Sequence, residues 1–322
     1  MQISALLGSA MSKSVPTFVL ALSLALAVCA AADPVPSPGL APLRADLRAL
    51  ESLHERALPP RRGEWRDVHR EPGQTFEQYV GGGSAIFPTM ARSTLVVQPL
   101  GTFSGANERI VRTVALALEA HFGLRTRLAQ PIALDIPPEA RRGSRGFGEQ
   151  ALTKHLLAAL EQRLPDDAMA YVAFTEMDLF PEASWNFVFG QASLQQRVGV
   201  WSLARNGDPS SDDLGYRRAL LRAVKTATHE VGHMFGMHHC TAYRCNMAGA
   251  NSLEELDRSP SWLCPECLAK VSWVTATRAE DHLRRMQVFV SDLGGLGHEA
   301  DHYAKSLEAL ADRSASTTSA ME

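Results

Sequence analysis

The run His229-Glu230-Val231-Gly232-His233-Met234-Phe235-Gly236-Met237-His238-His239 constrains this chain more than any other stretch. As a pattern it reads H-E-x-x-H-x-x-G-x-x-H. Histidines four residues apart stand about one turn apart on a helix, so both imidazoles can reach one ion. Glu230 brings a carboxylate that ligation does not need and that is free to act as a base. Gly236 lets the chain leave the helix where a side chain would obstruct it, and the return delivers His239 as a third ligand. Three neutral ligands leave a tetrahedral zinc one position for water, the plan of a catalytic site. H-E-x-x-H alone arises by chance in unrelated helices; Gly236 and His239 at their offsets make the longer pattern specific. His238 adjoins the third ligand, but the spacing selects His239.

The surrounding sequence supports a helix. Leu220, Val224, Ala227, Val231 and Phe235 recur at helical spacing and form one apolar stripe, with His229 and His233 on roughly the opposite side, facing a cleft. Asp212 or Asp213 is the expected N-cap. Directly after the motif come two close cysteine pairs, Cys240-x4-Cys245 and Cys264-x2-Cys267. Such pairs wrap a closed, structural zinc with four thiolates, and Cys240 would then clamp the third catalytic ligand. In an oxidising compartment the same residues would instead form two disulfides. Both readings stand at this point.

Compartment enters through the amino terminus. Lys13 precedes an apolar run from Val15 to Ala32 that ends in Ala30-Ala31-Ala32, the order of a secretory signal peptide over residues 1–32. The expectation is export to a periplasmic or extracellular space, with no stable membrane insertion after cleavage; an uncleaved anchor is the alternative. At 322 residues, 45% hydrophobic and with net charge −3, the chain has enough apolar mass for a sizeable core and no basic surplus for nucleic acid.

An amino-terminal extension is expected over 33–90, with a helix near Leu43–Ala57, Trp65 and Phe76 packed on the main domain, and Gly81-Gly82-Gly83 as a hinge. Strands at Thr94–Val97, Leu124–Leu134 and Ala168–Asp178 alternate with helices at Ala106–Phe122 and Phe147–Leu164, which implies a mixed sheet with helices on it. Two more apolar runs, Phe187-Val188-Phe189 and Val198–Trp201, read as strands. Gly190 and Gly199 mark bulges or the close approach of another backbone. An extended substrate could add there as a strand, so Phe187, Val188, Phe189 and Gly190 are candidate substrate-binding residues. The catalytic unit is expected over 91–275. Helices at Ala276–Val290 and His298–Asp312, within 276–313, should pack on its lower half, and 314–322 should be a disordered tail.

The motif, the cysteine pairs, Asn246-Met247, the run Trp185–Leu194 and Glu71-Pro72-Gly73-Gln74-Thr75-Phe76 together resemble the archaemetzincins, zinc metallopeptidases of the metzincin clan. The resemblance spans about residues 63 to 275. It implies an α+β metzincin-like fold, with a twisted mixed sheet and helices above the zinc cleft and a smaller helical or irregular subdomain below. It also implies His229, His233 and His239 as catalytic zinc ligands, Glu230 as general base, Met247 as the Met-turn residue, and Cys240, Cys245, Cys264 and Cys267 around a second, structural zinc. Two zinc ions per chain, hydrolysis of peptides or unfolded protein segments by zinc-bound water, and aminopeptidase-like cleavage are the functional expectations. The rival from another class is a non-catalytic, zinc-stabilised peptide-binding protein. Tyr243 is near enough in sequence to be considered as an oxyanion donor, though such a tyrosine is more often packing.

Overall fold

A computed structural model describes residues 4–5, 39–103, 105–133 and 135–319. The expected signal peptide therefore lies outside the described residues, apart from the backbone of Ser4–Ala5. The core of the fold is a six-stranded sheet made of β1 (Ser4–Ala5), β2 (Thr94–Leu100), β3 (Thr126–Leu128), β6 (Ala168–Thr175), β8 (Gly190–Ser193) and β9 (Val198–Ser202). Their order across the sheet is β1-β8-β9-β6-β2-β3. Strands β3, β2, β6 and β9 run parallel, β8 runs antiparallel to β9, and Ser4–Ala5 pairs with Gln191 and Ala192.

Both faces of the sheet are covered, so its central strands are apolar on both sides. Leu95, Val97, Ala170, Val172 and Phe174 face helices α4 (Gly105–Phe122) and α6 (Asp213–Met234), while Val96, Tyr171, Ala173, Val198 and Val200 pack with Leu156 and Leu160 of α5 (Thr153–Glu161). Gly123, at φ +65°, ends α4 and lets the chain turn back into β3.

The segment expected to begin a helix at Phe147 instead forms a hairpin. β4 (Arg141–Ser144) and β5 (Gly148–Leu152) pair antiparallel, and β5 pairs parallel with β7 (Asp178–Phe180) in a second, three-stranded sheet. Gly146 and Gly148 at φ +82° and +71° close the turn. Buried Gln150 gives its amide to the Asp178 carboxylate at 2.8 Å, and so is held as a strand residue by a partner far along the chain. Among the described residues the expected strand Leu124–Leu134 shrinks to β3, followed by a bond from Ala129 N to the Val97 carbonyl and a single bridge from Ile132 to Leu100.

The lower part is helical. It holds α1 (Leu40–Leu50), α2 (Trp65–Val68), α3 (Phe76–Gly81), α7 (Leu253–Arg258), α8 (Pro265–Val274), α9 (Ala279–Leu293) and α10 (Gly297–Ser319). Leu43, Phe76 and Ala269 form a small core joining α1 and α3 to α8. The glycines at 81–83 do not act as a free hinge, since Tyr79 Oη and Ile86 N on either side both donate to the Phe235 carbonyl at 2.5 and 3.1 Å. The carboxy-terminal helices are not confined to the lower half: α9 packs against α4, where His282 Nδ1 donates to the His121 carbonyl at 2.6 Å. Helix α10 runs on through Ser319, into the expected disordered tail. No Gly or Pro interrupts it there, and elongating a formed helix costs little.

Candidate active site

Helix α6 carries the first two histidines. The Asp212 carboxylate caps it by accepting from Gly215 N at 2.6 Å, and its stripe Leu220, Val224, Ala227, Val231 and Phe235 is buried. After Phe235, Gly236 takes φ +84°, and a Cβ there would run into the carbonyl of Ser84. Only glycine fits this turn on both counts, and the turn brings His239 back toward the helix.

The three imidazoles meet. The ligand-capable atoms of His229, His233 and His239 lie within 4.8 Å of one another, and the rings stand 4.6, 5.2 and 4.8 Å apart. Each Nδ1 faces an acceptor: His229 the Asn246 carbonyl at 2.7 Å, His233 the Met237 carbonyl at 2.6 Å, and His239 a Glu71 carboxylate oxygen at 2.8 Å. With Nδ1 donating, the lone pair sits on Nε2, the atom left to ligate. His229 Nε2 and His233 Nε2 are 3.0 Å apart, and His239 Nε2 is buried without a partner. Burial, assisted by the neighbouring imidazoles, holds His229 down to about 3 and His233 well below its ordinary value. These two rings are therefore neutral at physiological pH, as metal ligands must be. Convergent nitrogens with their second nitrogens already satisfied fit zinc.

Glu230 completes the arrangement. It is 3% exposed, its Oε1 has no hydrogen-bond partner, and burial raises its carboxyl to about 8. A buried carboxyl next to a metal-capable histidine on the helix, with an oxygen left unpartnered, is a candidate functional group.

The four cysteines form a second cluster. Their sulfurs lie within 4.8 Å of one another, all four residues are buried, and none is joined in a disulfide. Cys245 Sγ accepts from the backbone N–H groups of Met247 and Cys264 at 3.4 and 3.2 Å. Burial pushes the Cys264 thiol well up, a cost that a bound cation would remove. One turn serves both clusters: Asn246 offers its carbonyl to His229, and Met247 offers its own to Cys240 N at 2.7 Å. Met247 lies against α6 between the two histidines, where a Cβ on Gly232 would stand 2.6 Å from its sulfur.

The other candidates place less simply. β8 starts at Gly190, so Phe187-Val188-Phe189 precede it; Val188 is tied to Leu179 at 2.9 Å, and Phe187 lies under the Arg205 guanidinium. The close neighbour of Gly190 and Gly199 is not a backbone but the indole of Trp201, opposite the first in register and two residues from the second. Tyr243 is 2% exposed, donates to Glu51 at 3.1 Å and is covered by Arg56, which makes it a packing residue. His238 is exposed. Residue spacing assigns no role to Glu71, Trp65 or Asn246. Of these, Glu71 and Asn246 carry a signal only as members of short runs that resemble the family.

The fold and the convergent histidines define a metzincin-type zinc metallopeptidase. A model of "Peptidase family M54" matches residues 149–273. Archaemetzincin-2 of Pongo abelii is 33% identical over 264 residues, which cover 71% of this chain and 72% of that protein. Archaemetzincin of Thermococcus kodakarensis is 40% identical over 109 residues, 32% of this chain and 56% of that one. A crystal structure of archaemetzincin from Methanopyrus kandleri superposes with a TM-score of 0.47 at 28% identity, covering 59% of this chain and 98% of that one. The chain belongs to the archaemetzincin family and is a zinc metallopeptidase.

Proposed function

We propose that His229, His233 and His239 hold the catalytic zinc and that Glu230 is the general base for hydrolysis of peptides or unfolded protein segments. The observation that carries this is the convergence of three imidazoles, with the buried Glu230, whose Oε1 has no partner, next to His229 on the same helix. Zinc, when bound, supplies a water acidified toward neutrality and an electrophilic contact for the scissile carbonyl. Glu230 takes the proton of the attacking water at its carboxylate and returns it to the departing amine. The carbonyls of Asn246 and Met237 and the carboxylate of Glu71 keep the three rings in the tautomer that ligates.

The substrate lies extended along the outer edge of β8. The pairing of Ser4–Ala5 with Gln191 and Ala192 supports an edge able to accept a chain, and with β8 beginning at Gly190 the contact centres on Gly190–Ser193 rather than on Phe187–Phe189. Cys240, Cys245, Cys264 and Cys267 hold a second, structural zinc. The catalytic unit spans 91–275 and acts after export directed by residues 1–32. Among the described residues no helix is long and apolar enough to cross a membrane. Aminopeptidase-like cleavage is the narrower form of the activity.

A peptide-library digest with and without chelator tests the core of the reading. Cleavage that chelation abolishes and zinc restores is the expected result, and binding without cleavage would favour a non-catalytic protein. Comparing free with amino-blocked peptides tests the narrower form.

A further inference from the structure

Two of the three histidines draw their Nδ1 acceptors from the backbone in or near the motif, Asn246 and Met237. The third does not. His239 Nδ1 meets the side chain of Glu71, 168 residues upstream, at 2.8 Å. The same carboxylate oxygen accepts from Trp65 Nε1 at 3.0 Å, and the Trp65 ring stands edge-on 4.8 Å from the His239 ring. Trp65 is itself fixed, because its ring fills the space where a Cβ on Gly249 would be and its backbone N–H donates to Glu255 at 3.0 Å. The segment after Glu71 continues the clasp: Gln74 Oε1 accepts from His238 N at 3.2 Å, and Gly73 lies against Thr241.

We infer that Glu71, held by Trp65, is a positioning residue for the catalytic metal, so that the amino-terminal extension is a working part of the site. The inference rests on the proposed ligand role of His239. A carboxylate accepting from Nδ1–H fixes the ring and raises the basicity of Nε2 more than a neutral carbonyl does, and groups in this position typically contribute about 10–100-fold to metal affinity or activity. Placing the one charged acceptor on the ligand that arrives last, from a turn rather than from α6, stabilises the ring with the weakest local support. No substrate contact is required of Glu71.

The test measures zinc affinity of the purified full chain by competition with a chromophoric chelator, alongside thermal melting. Glu71→Ala should weaken the histidine site by about 10–100-fold and leave the cysteine site loaded. Glu71→Gln keeps an acceptor without the charge and should fall between; it also keeps the fold if the alanine variant does not. Trp65→Phe, which loses the indole N–H, should weaken the site less than Glu71→Ala. Glu77→Gln is the control, an exposed carboxylate of the same segment that pairs with Arg44. Glu71 variants that hold zinc at the histidine site as tightly as the unaltered chain overturn the inference, as does equal weakening by Glu77→Gln. If the unaltered chain binds zinc only at its cysteines, the catalytic reading falls and takes this inference with it; tight binding with an indifferent Glu71 overturns this inference alone.

Discussion

Two metal-capable clusters share the peptide bond between His239 and Cys240 and are built on opposite plans. In the cysteine cluster the donors face one another, and backbone N–H groups point at the sulfur of Cys245. Four ligands close a tetrahedral ion, so nothing is left to react. In the histidine cluster there are three donors, each braced from behind, and next to His229 on the helix a buried glutamate whose Oε1 has no partner. Under the proposed function, this difference is why the activity is assigned to the histidines. One cluster satisfies its groups to hold the turn in place; the other, held by that turn, keeps polar groups unsatisfied. Asn246 and Met247 couple the two, so damage should pass from the closed cluster to the open one and not back.

That asymmetry gives the largest expected effect. Structural zinc sites carry an apparent stabilisation of about 10–16 kcal/mol, so Cys264→Ala should lose zinc from both clusters and melt far below the unaltered chain. His229→Ala should lose only the catalytic ion. Metal analysis per chain reads both, and a Cys264→Ala protein that keeps its histidine-bound zinc would break the coupling. Thiol titration of chelated, denatured protein belongs beside it, since the cluster cysteines should all react; none reacting would replace the zinc plan with disulfides.

Next in size is the chemistry itself. Glu230→Ala should retain zinc and lose on the order of 10²–10⁴-fold in kcat/KM, the usual contribution of a general base. Unchanged turnover on a cleaved library peptide rejects the assigned role.

The same residue exposes the energetic cost of an open site. Its carboxyl is raised to about 8 in the folded, metal-free chain, above the ordinary value of 4.5. Stability from the protonated form is therefore full below about 4.5 and is lost as pH rises toward 8, because the unfolded chain ionises first. At pH 7 the penalty is about 3 kcal/mol. Glu230→Gln removes it, so the metal-free variant should be more stable at pH 7 by about that amount and no more stable at about pH 4. Denaturant midpoints at the two pH values measure this; a gain that is equal at both would assign the stabilisation to something other than ionisation.

How far the sequence reveals this molecule depends on the range of the interactions. Helix α6, its cap at Asp212, the turn at Gly236 and the convergence of His229, His233 and His239 are legible because spacing over a few residues encodes them. The gathering of the four cysteines is legible for the same reason. The features hidden from the sequence depend on distant partners. Local periodicity reads β5 as the start of a helix, because its strand identity comes from Asp178 and Leu179, which periodicity cannot register. Gly190 and Gly199 announce a close neighbour, but only the β8–β9 register shows that the neighbour is Trp201. The role of Glu71 is invisible without the fold, since nothing local links a carboxylate in a Pro-Gly segment to an imidazole far downstream.

The smallest expected effect concerns the adjacent histidines. His238 and His239 differ by one position, yet one is exposed and the other brings Nε2 into the cluster. His238 engages the site through its backbone N–H, donated to Gln74, and any residue but proline supplies that group. His238→Ala should therefore keep both zinc ions, change folding stability by no more than about 0.5 kcal/mol, and leave turnover unchanged. His239→Ala should lose the catalytic ion and take from Glu71 the Nδ1 donor it meets at 2.8 Å. Running the two together removes any general effect of altering the turn. Should His238→Ala prove as damaging as His239→Ala, ligand choice at this turn would be set by something other than which imidazole the Gly236 geometry turns inward.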